Sequence, residues 1–284
     1  MSPHFSQAVV SAKGFQSTAA LSNGCVHLAP GGSDTDGDGT PMSPVATWTK
    51  AVTLMTASRK ILAPAPGAYV EAAPVALPAL DGLAIDGPGE DVCTVSAVGA
   101  SVFNLTPGAV SSSFDFLMSG INVDHSAGAA QKGIVFDNTG MTKKLLAKIK
   151  NCTFDVDEST DISIDVVHGD ADNAVRVYVS NDGAQSEIGG AINFAVNNLA
   201  DRLHFENSWL MGTITTPNVA KEATILLRNC TVPHEAATAG GNATQAVISV
   251  HSYSWVDYDD IVRPIFAALD TSDLTGSHSE TIVA

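Results

Sequence analysis

The sequence predicts an all-β fold: a right-handed parallel β-helix of about seven coils, entered through an N-terminal capping α-helix. Three observations predict it. A short unit of apolar, any, apolar, polar and then Gly, Asn or Ser recurs along the chain. Within that unit, buried and exposed positions alternate with the period of a strand that has one face in a core. Near the start, an apolar stripe at helical spacing follows a Ser-Pro pair, which suits a helix laid over the first coil.

The helix comes first in chain order. Ser43 is a good N-cap, Pro44 is favoured at the first helical position, and Val45, Trp48, Val52 and Met55 form the stripe, so a capping helix is expected over 44–57. Such a helix would cover the open edge of the first coil. Next, KILAPAPGAYVEAA (60–73) reads as strand, Gly turn and strand. The repeat follows as LAIDG (83–87), FLMSG (116–120), AKIKN (147–151), VYVSN (177–181), LHFEN (203–207), ILLRN (225–229) and ISVHS (248–252). Its closing residues Gly87, Gly120, Asn151, Asn181, Asn207, Asn229 and Ser252 are spaced 33, 31, 30, 26, 22 and 23 residues apart. Two before each close stand Ile85, Met118, Ile149, Val179, Phe205, Leu227 and Val250; four before stand Leu83, Phe116, Ala147, Val177, Leu203, Ile225 and Ile248. All are apolar, and the residues between close and inner position are all polar. Gly and Asn tolerate left-handed backbone, so each close is read as a corner. Three residues on, Val123, Phe154, Ala184, Leu210, Val232 and Trp255 re-enter the core, with Glu90 the exception. The repeat period and the lack of internal helices point to a β-solenoid, a rod roughly 30–35 Å long at the usual strand spacing. The domain organisation expected is an N-terminal arm (1–30), a β-helix domain (31–255) and a C-terminal arm (256–284).

Composition supports one folded domain: 284 residues, 45% hydrophobic and 15% charged. The net charge of -16, from 30 acidic and 14 basic side chains, disfavours nucleic acid as a partner. No apolar run is long enough to span a membrane, and the start lacks the pattern of a secretory signal. Cys25, Cys93, Cys152 and Cys230 have no metal-like spacing and are expected to be buried free thiols. Cys152 and Cys230 share a corner offset but lie three coils apart, roughly 14 Å, too far for a disulfide. The N-x-S/T triplets at Asn104, Asn151, Asn229 and Asn242 are read as accidents.

The run GGSDTDGDGTPMSPVATWTKAV (31–52), ILAPAPGAYVEA (61–72) and LAIDGPG (83–89) resembles the start of pectate-lyase-like β-helix proteins. In that superfamily a Gly/Asp-rich loop leads into a capping helix, a P-G-x-Y-x-E strand pair, and coils that close on Gly or Asn. The resemblance covers about 60 residues of entry and the ladder behind them. It implies the fold, and it leaves function open among lyases, hydrolases, phage tailspikes, capsid decoration proteins and adhesins.

Among candidate sites, Asp34, Asp36 and Asp38 alternate ahead of Gly39 like the first half of a calcium loop, but the position of the bidentate Glu falls on Val45. They are the metal candidates, for a structural Ca²⁺, against the alternative of a solvated acidic turn. Asp124 and Asp155 share an offset on adjacent coils, about 5 Å apart, a separation compatible with a retaining glycosidase or with two surface carboxylates. Asp155, Asp157, Glu158, Asp161 and Asp165 read as a solvated face or a subunit contact. His125 and His234 share an offset but lie too far apart for one ion, and His168-Gly169-Asp170 reads as a turn. Arg176, Arg202 and Arg228 do not assemble with the Asp loop. With 14 basic and 6% aromatic residues, little is expected to meet an acidic sugar or floor a sugar groove.

No catalytic or cofactor-binding residue is assigned. The expectation is a non-enzymatic bacteriophage virion protein: a capsid decoration or cement protein, or a tail or fibre component, made in the host cytoplasm. Its expected partners are itself, as a homotrimer, and a major capsid or tail protein. The alternatives are a polysaccharide-active lyase or hydrolase of tailspike type, and a surface adhesin or glycan-binding module.

Overall fold

The computed structural model describes residues 10–11, 14–15 and 24–256, apart from 109–112, 126–129, 156–160, 168–172, 183–185, 196–197, 199, 213, 216–222, 233–245 and 252–254. The fold is a parallel β-solenoid. A typical coil contributes a strand to one sheet, turns, contributes to a second, turns again and contributes to a third, so these three sheets are ladders of strands from successive coils; Val10–Ser11 and Gly14–Phe15 form a separate antiparallel pair. The first sheet has nine strands, the second eight and the third six.

The seven repeat units occupy the first sheet in the register that the sequence predicts. Phe116 pairs with Leu83 and Ala147, Met118 with Ile85 and Ile149. The column continues through Val177, Leu203, Ile225 and Ile248, and its neighbour through Val179, Phe205, Leu227 and Val250. From Leu83 to Leu227 these inner positions are buried. The stack is deeper than about seven rungs. Cys25–Leu28 and Ile61–Pro64 pair with each other and then with Leu83–Asp86, so the first sheet begins inside the segment expected as an arm.

The second sheet shows where corner lengths vary. Val123 aligns with Val95 and Phe154 with Ile188. Val95, not Glu90, is therefore the core position after Gly87, and Glu90 instead accepts hydrogen bonds from Ser186 Oγ at 2.8 and 2.9 Å. The equivalent after Asn181 is Ile188 rather than Ala184, which lies outside the described residues. Trp255 pairs with Thr231, so Val256 is the partner of Val232. Extra residues at these corners are absorbed as loop, and the hydrophobic register, not residue count, sets the pairing. The third sheet supplies Phe103, Ile134, Phe136, Ile164, Val166, Ile192 and Phe194 to the same continuous core.

The cap is shorter than the 44–57 expected. The helix runs Trp48–Thr53, with Thr47 as N-cap accepting from the Lys50 N–H. Ser43 and Pro44 do not start it, because the chain is still extended there. Val45 bridges Leu28, its N–H donates to His27 and its carbonyl accepts from Ala29. The apolar stripe thus divides its labour. Val45 extends the sheet, while Trp48, Ala51 and Met55 cover the first coil. Trp48 packs edge-on against Tyr69 and Phe103, with centroids 6.0 and 5.2 Å away. The P-G-x-Y-x-E strand anchors this arrangement. The Glu71 carboxylate, 2% exposed, accepts from Trp48 N at 2.7 Å and from Thr49 N and Oγ1 at 3.1 and 2.7 Å. These are N–H groups that a helix start leaves without internal partners, and an anion suits them.

Candidate functional site

Basic residues gather on the outer face of the first sheet. Alternation turns Leu146, Lys148 and Lys150 outward on one strand, Arg176, Tyr178 and Ser180 on the next, and Arg202, His204 and Glu206 on the third. Lys144 lies at the mouth of the first of these strands, and Arg228 extends the face by another. Six of the chain's 14 basic residues (Lys144, Lys148, Lys150, Arg176, Arg202 and Arg228) therefore stand on one face of a protein of net charge -16.

The margins of this face are neutralised. Lys150 pairs with Asp182 at 2.7 Å and Arg228 with Glu206 at 3.5 Å. The Lys150 hydrogen bond holds the exposed Asp182 carboxyl below its usual range. The middle is not neutralised: among the described residues no carboxylate pairs with Lys144, Lys148, Arg176 or Arg202. Two shallow depressions adjoin on this face, of about 210 and about 330 Å³, sharing Lys148 and Tyr178 in their walls; the smaller is also lined by Lys150 and Glu206 of the margins. The Tyr178 ring meets His204 edge-on at 5.7 Å. Leu117, Leu146 and Val179 add apolar lining. In the sequence these cations are separate residues of different repeats, and only the pairing of the strands sets them in columns. The outward positions of the repeat carry the signal: they are the polar residues of the alternation, and several are Lys or Arg.

The second sheet presents the opposite charge. Asp124 and Asp155 are direct partners on adjacent strands and both point outward, as their shared offset predicts. On the same face, Glu187 pairs with Trp209, whose ring is 40% exposed. The expected solvated acidic segment divides. Asp155 is exposed, whereas Asp161 and Asp165 are buried. Asp161 Oδ1 accepts from the Gln131 N–H at 2.9 Å, and Asp165 pairs with Lys132. Burial with a partner, not solvation, is the reason for these two carboxylates; Asp157 and Glu158 lie outside the described residues.

The Asp34–Asp38 loop is tied to the cap. Asp34 Oδ1 accepts from Ala46 N at 2.8 Å and Thr47 N at 3.1 Å, and Oδ2 from Thr47 Oγ1 at 2.7 Å. Burial pushes its carboxyl up, but these hydrogen bonds and the Lys50 charge outweigh it and set it below the usual range. Asp38 accepts from the Thr40 N–H at 2.9 Å, and Asp36 receives a contact from Ser33 Oγ at 3.4 Å. The three carboxylates thus serve separate groups instead of converging. Among the described residues no group of three or more His, Cys, Asp or Glu could hold a metal ion. The donor set does not fit a calcium ion here.

His125 is fully buried, with Nδ1 3.3 Å from the Val123 carbonyl and its ring edge-on to Phe154. Burial lowers its pKa. His234, His168, Asp170 and Asn242 lie outside the described residues. All four cysteines are buried and none forms a disulfide, and burial pushes the thiol of Cys152 up to about 12 and those of Cys93 and Cys230 up to about 11. Thiols held protonated in this way are poor nucleophiles and poor metal ligands. No described helix is long and apolar enough to cross a membrane. No protein-family model matches the chain, and no curated protein matches its sequence.

Proposed function

We propose that this chain is a non-catalytic structural protein of a bacteriophage particle, either a capsid decoration or cement protein or a tail or fibre component. One observation supports the non-catalytic reading: apart from the outward Asp124–Asp155 pair, several of the acidic groups and all the thiols serve the stack itself. Asp34 and Glu71 fasten the cap, Asp161 and Asp165 are buried with partners, and the thiols sit in the core. The particle itself comes from the resemblance of the entry segment to β-helix proteins that include phage structural types. In this reading the acidic protein sits outside the genome, associates as a homotrimer and docks on a major capsid or tail protein. The test is purification of virions followed by electron microscopy with a label on this chain. Stoichiometric presence at a defined position is the expected result. Its absence from particles, or cleavage of a host-envelope glycan by the purified protein, would sink the proposal.

A second reading, a polysaccharide-active enzyme of tailspike type, is favoured by the outward Asp124–Asp155 pair and the exposed Trp209 on one sheet face. Release of new reducing ends from a host polysaccharide, abolished by Asp155→Asn, is the result that reading requires.

A further inference from the structure

We infer that the outer faces of the first and second sheets are the two halves of one self-association contact, in which the basic face of one copy docks on the acidic face of the next. The inference deepens the self-association in the proposed function and rests on that part of it, not on the place in the particle.

Charge is the first argument. On the first sheet, Lys148, Arg176 and Arg202 point outward from consecutive strands, and among the described residues no carboxylate pairs with them. On the second, Asp155 and Glu187 point outward from consecutive strands, and among the described residues no cation pairs with either. A different acidic partner would satisfy the first sheet alone. A second copy satisfies both faces, and complementary charge across a contact fixes both partner and register.

Height is the second argument. Leu145–Lys150 and Thr153–Asp155 belong to one coil, Val175–Ser180 and Ser186–Ile188 to the next, and Arg202–Glu206 and Ser208–Leu210 to the one after. Lys148 is therefore level with Asp155, Arg176 with Glu187, and Arg202 with Trp209. Lys148 and Asp155 flank the corner residue Asn151 by three and four positions, so copies arranged round that corner set them opposite. The last level puts an arginine and an exposed indole on facing surfaces, a combination that attracts.

Symmetry is the third. A two-fold contact of either face with itself would oppose like charges, so the contact is heterologous. Heterologous contacts give rings when they close and filaments when they do not. Because the charges match at equal height, no copy is displaced along the axis, and the assembly closes as a ring of parallel stacks. The homotrimer is such a ring. Its contact covers the Asp155 and Trp209 face that the second reading gives to a polysaccharide.

Sedimentation velocity of the full chain tests this at about 0.1 M and about 1 M salt, between which the screening length falls from roughly 10 Å to roughly 3 Å. We expect a trimer that dissociates as salt rises. Lys148→Glu/Arg202→Glu, and separately Asp155→Lys/Glu187→Lys, should each leave a monomer at a concentration where the parent chain is fully assembled. The fourfold variant carrying both reversals restores opposite charges and should assemble again, which also shows that reversal leaves the fold intact. A ring of another size that depends on both faces upholds the inference and removes only the number three. A parent chain that stays monomeric overturns the inference and the self-association reading together. An oligomer that survives both reversals, or a fourfold variant folded by circular dichroism but monomeric, overturns the inference and leaves self-association standing. Labelled virions remain the separate test of the particle.

Discussion

At the coil corners, one residue type does more than one job. Gly120, Asn151, Asn207 and Asn229 adopt φ of 63, 51, 52 and 50°, the left-handed backbone that their residue types suggested. Gly87 and Asn181 do not, and other forces choose them. A Cβ at Gly87 would lie 2.2 Å from the Gly120 carbonyl oxygen. Asn181 is buried and donates from Nδ2 to the Asn207 carbonyl at 2.9 Å. Asn207 returns a bond to the Asn181 carbonyl at 2.6 Å, and Asn229 donates to Asn207 Oδ1 at 2.6 Å. Asn207→Gly keeps the backbone and removes the ladder, so it should cost about 1 kcal/mol in urea unfolding. Asn207→Ala adds left-handed strain and should cost about 2–3 kcal/mol. Equal costs would show that the side-chain ladder alone matters. His125 makes a second prediction. Its folded pKa lies below the unfolded value, so between the two the unfolded chain binds more protons. Stability should be complete above about pH 6.5 and should fall as pH drops through that window. His125→Phe should make the slope shallower, leaving the part due to His27, whose pKa burial and Arg59 also lower.

At the level of elements, the cap shows how a six-residue helix is held without length of its own. A helix this short is unstable in isolation, and tertiary contacts supply its stability. Asp34 secures the residues entering it, Glu71 accepts from its first turn, and Trp48 fills the space over Tyr69 and Phe103. Glu71→Ala would leave three donors, one of them the buried Trp48 N–H, without a charged acceptor. The expected loss is about 2–4 kcal/mol by urea unfolding, with Glu71→Gln intermediate. A loss under 0.5 kcal/mol would mean that packing alone seats the helix.

At the level of the whole molecule, each coil contacts its neighbours, so damage spreads along the axis from where it is made. Phe205 is fully buried on the third of the nine strands of the first sheet, counted from its C-terminal end. Phe205→Ala should cost about 3–5 kcal/mol. In hydrogen exchange, protection should fall first in Val175–Ser180 and Ala223–Arg228, the strands on either side. Uniform loss across all coils would instead indicate a single cooperative unit. The same stacking explains the basic face. Residues 148, 176 and 202 are far apart in the chain, yet they become a patch because parallel pairing sets them on consecutive strands of one sheet.

The sequence by itself determined the solenoid and the register of its first sheet, from Leu83 to Val250. Both rest on period-2 alternation, a local property that survives any variation in loop length. It also marked the entry strand pair and the metal-unlike spacing of the cysteines. The tertiary structure alone decided what depends on loop length and on neighbours along the axis. It moved the core positions after Gly87 and Asn181 to Val95 and Ile188, because the corners there carry extra residues. It started the helix at Trp48, because pairing with Leu28 held Val45 extended. And it sorted charge by face, collecting scattered lysines and arginines on the first sheet while Asp124 and Asp155 faced outward on the second.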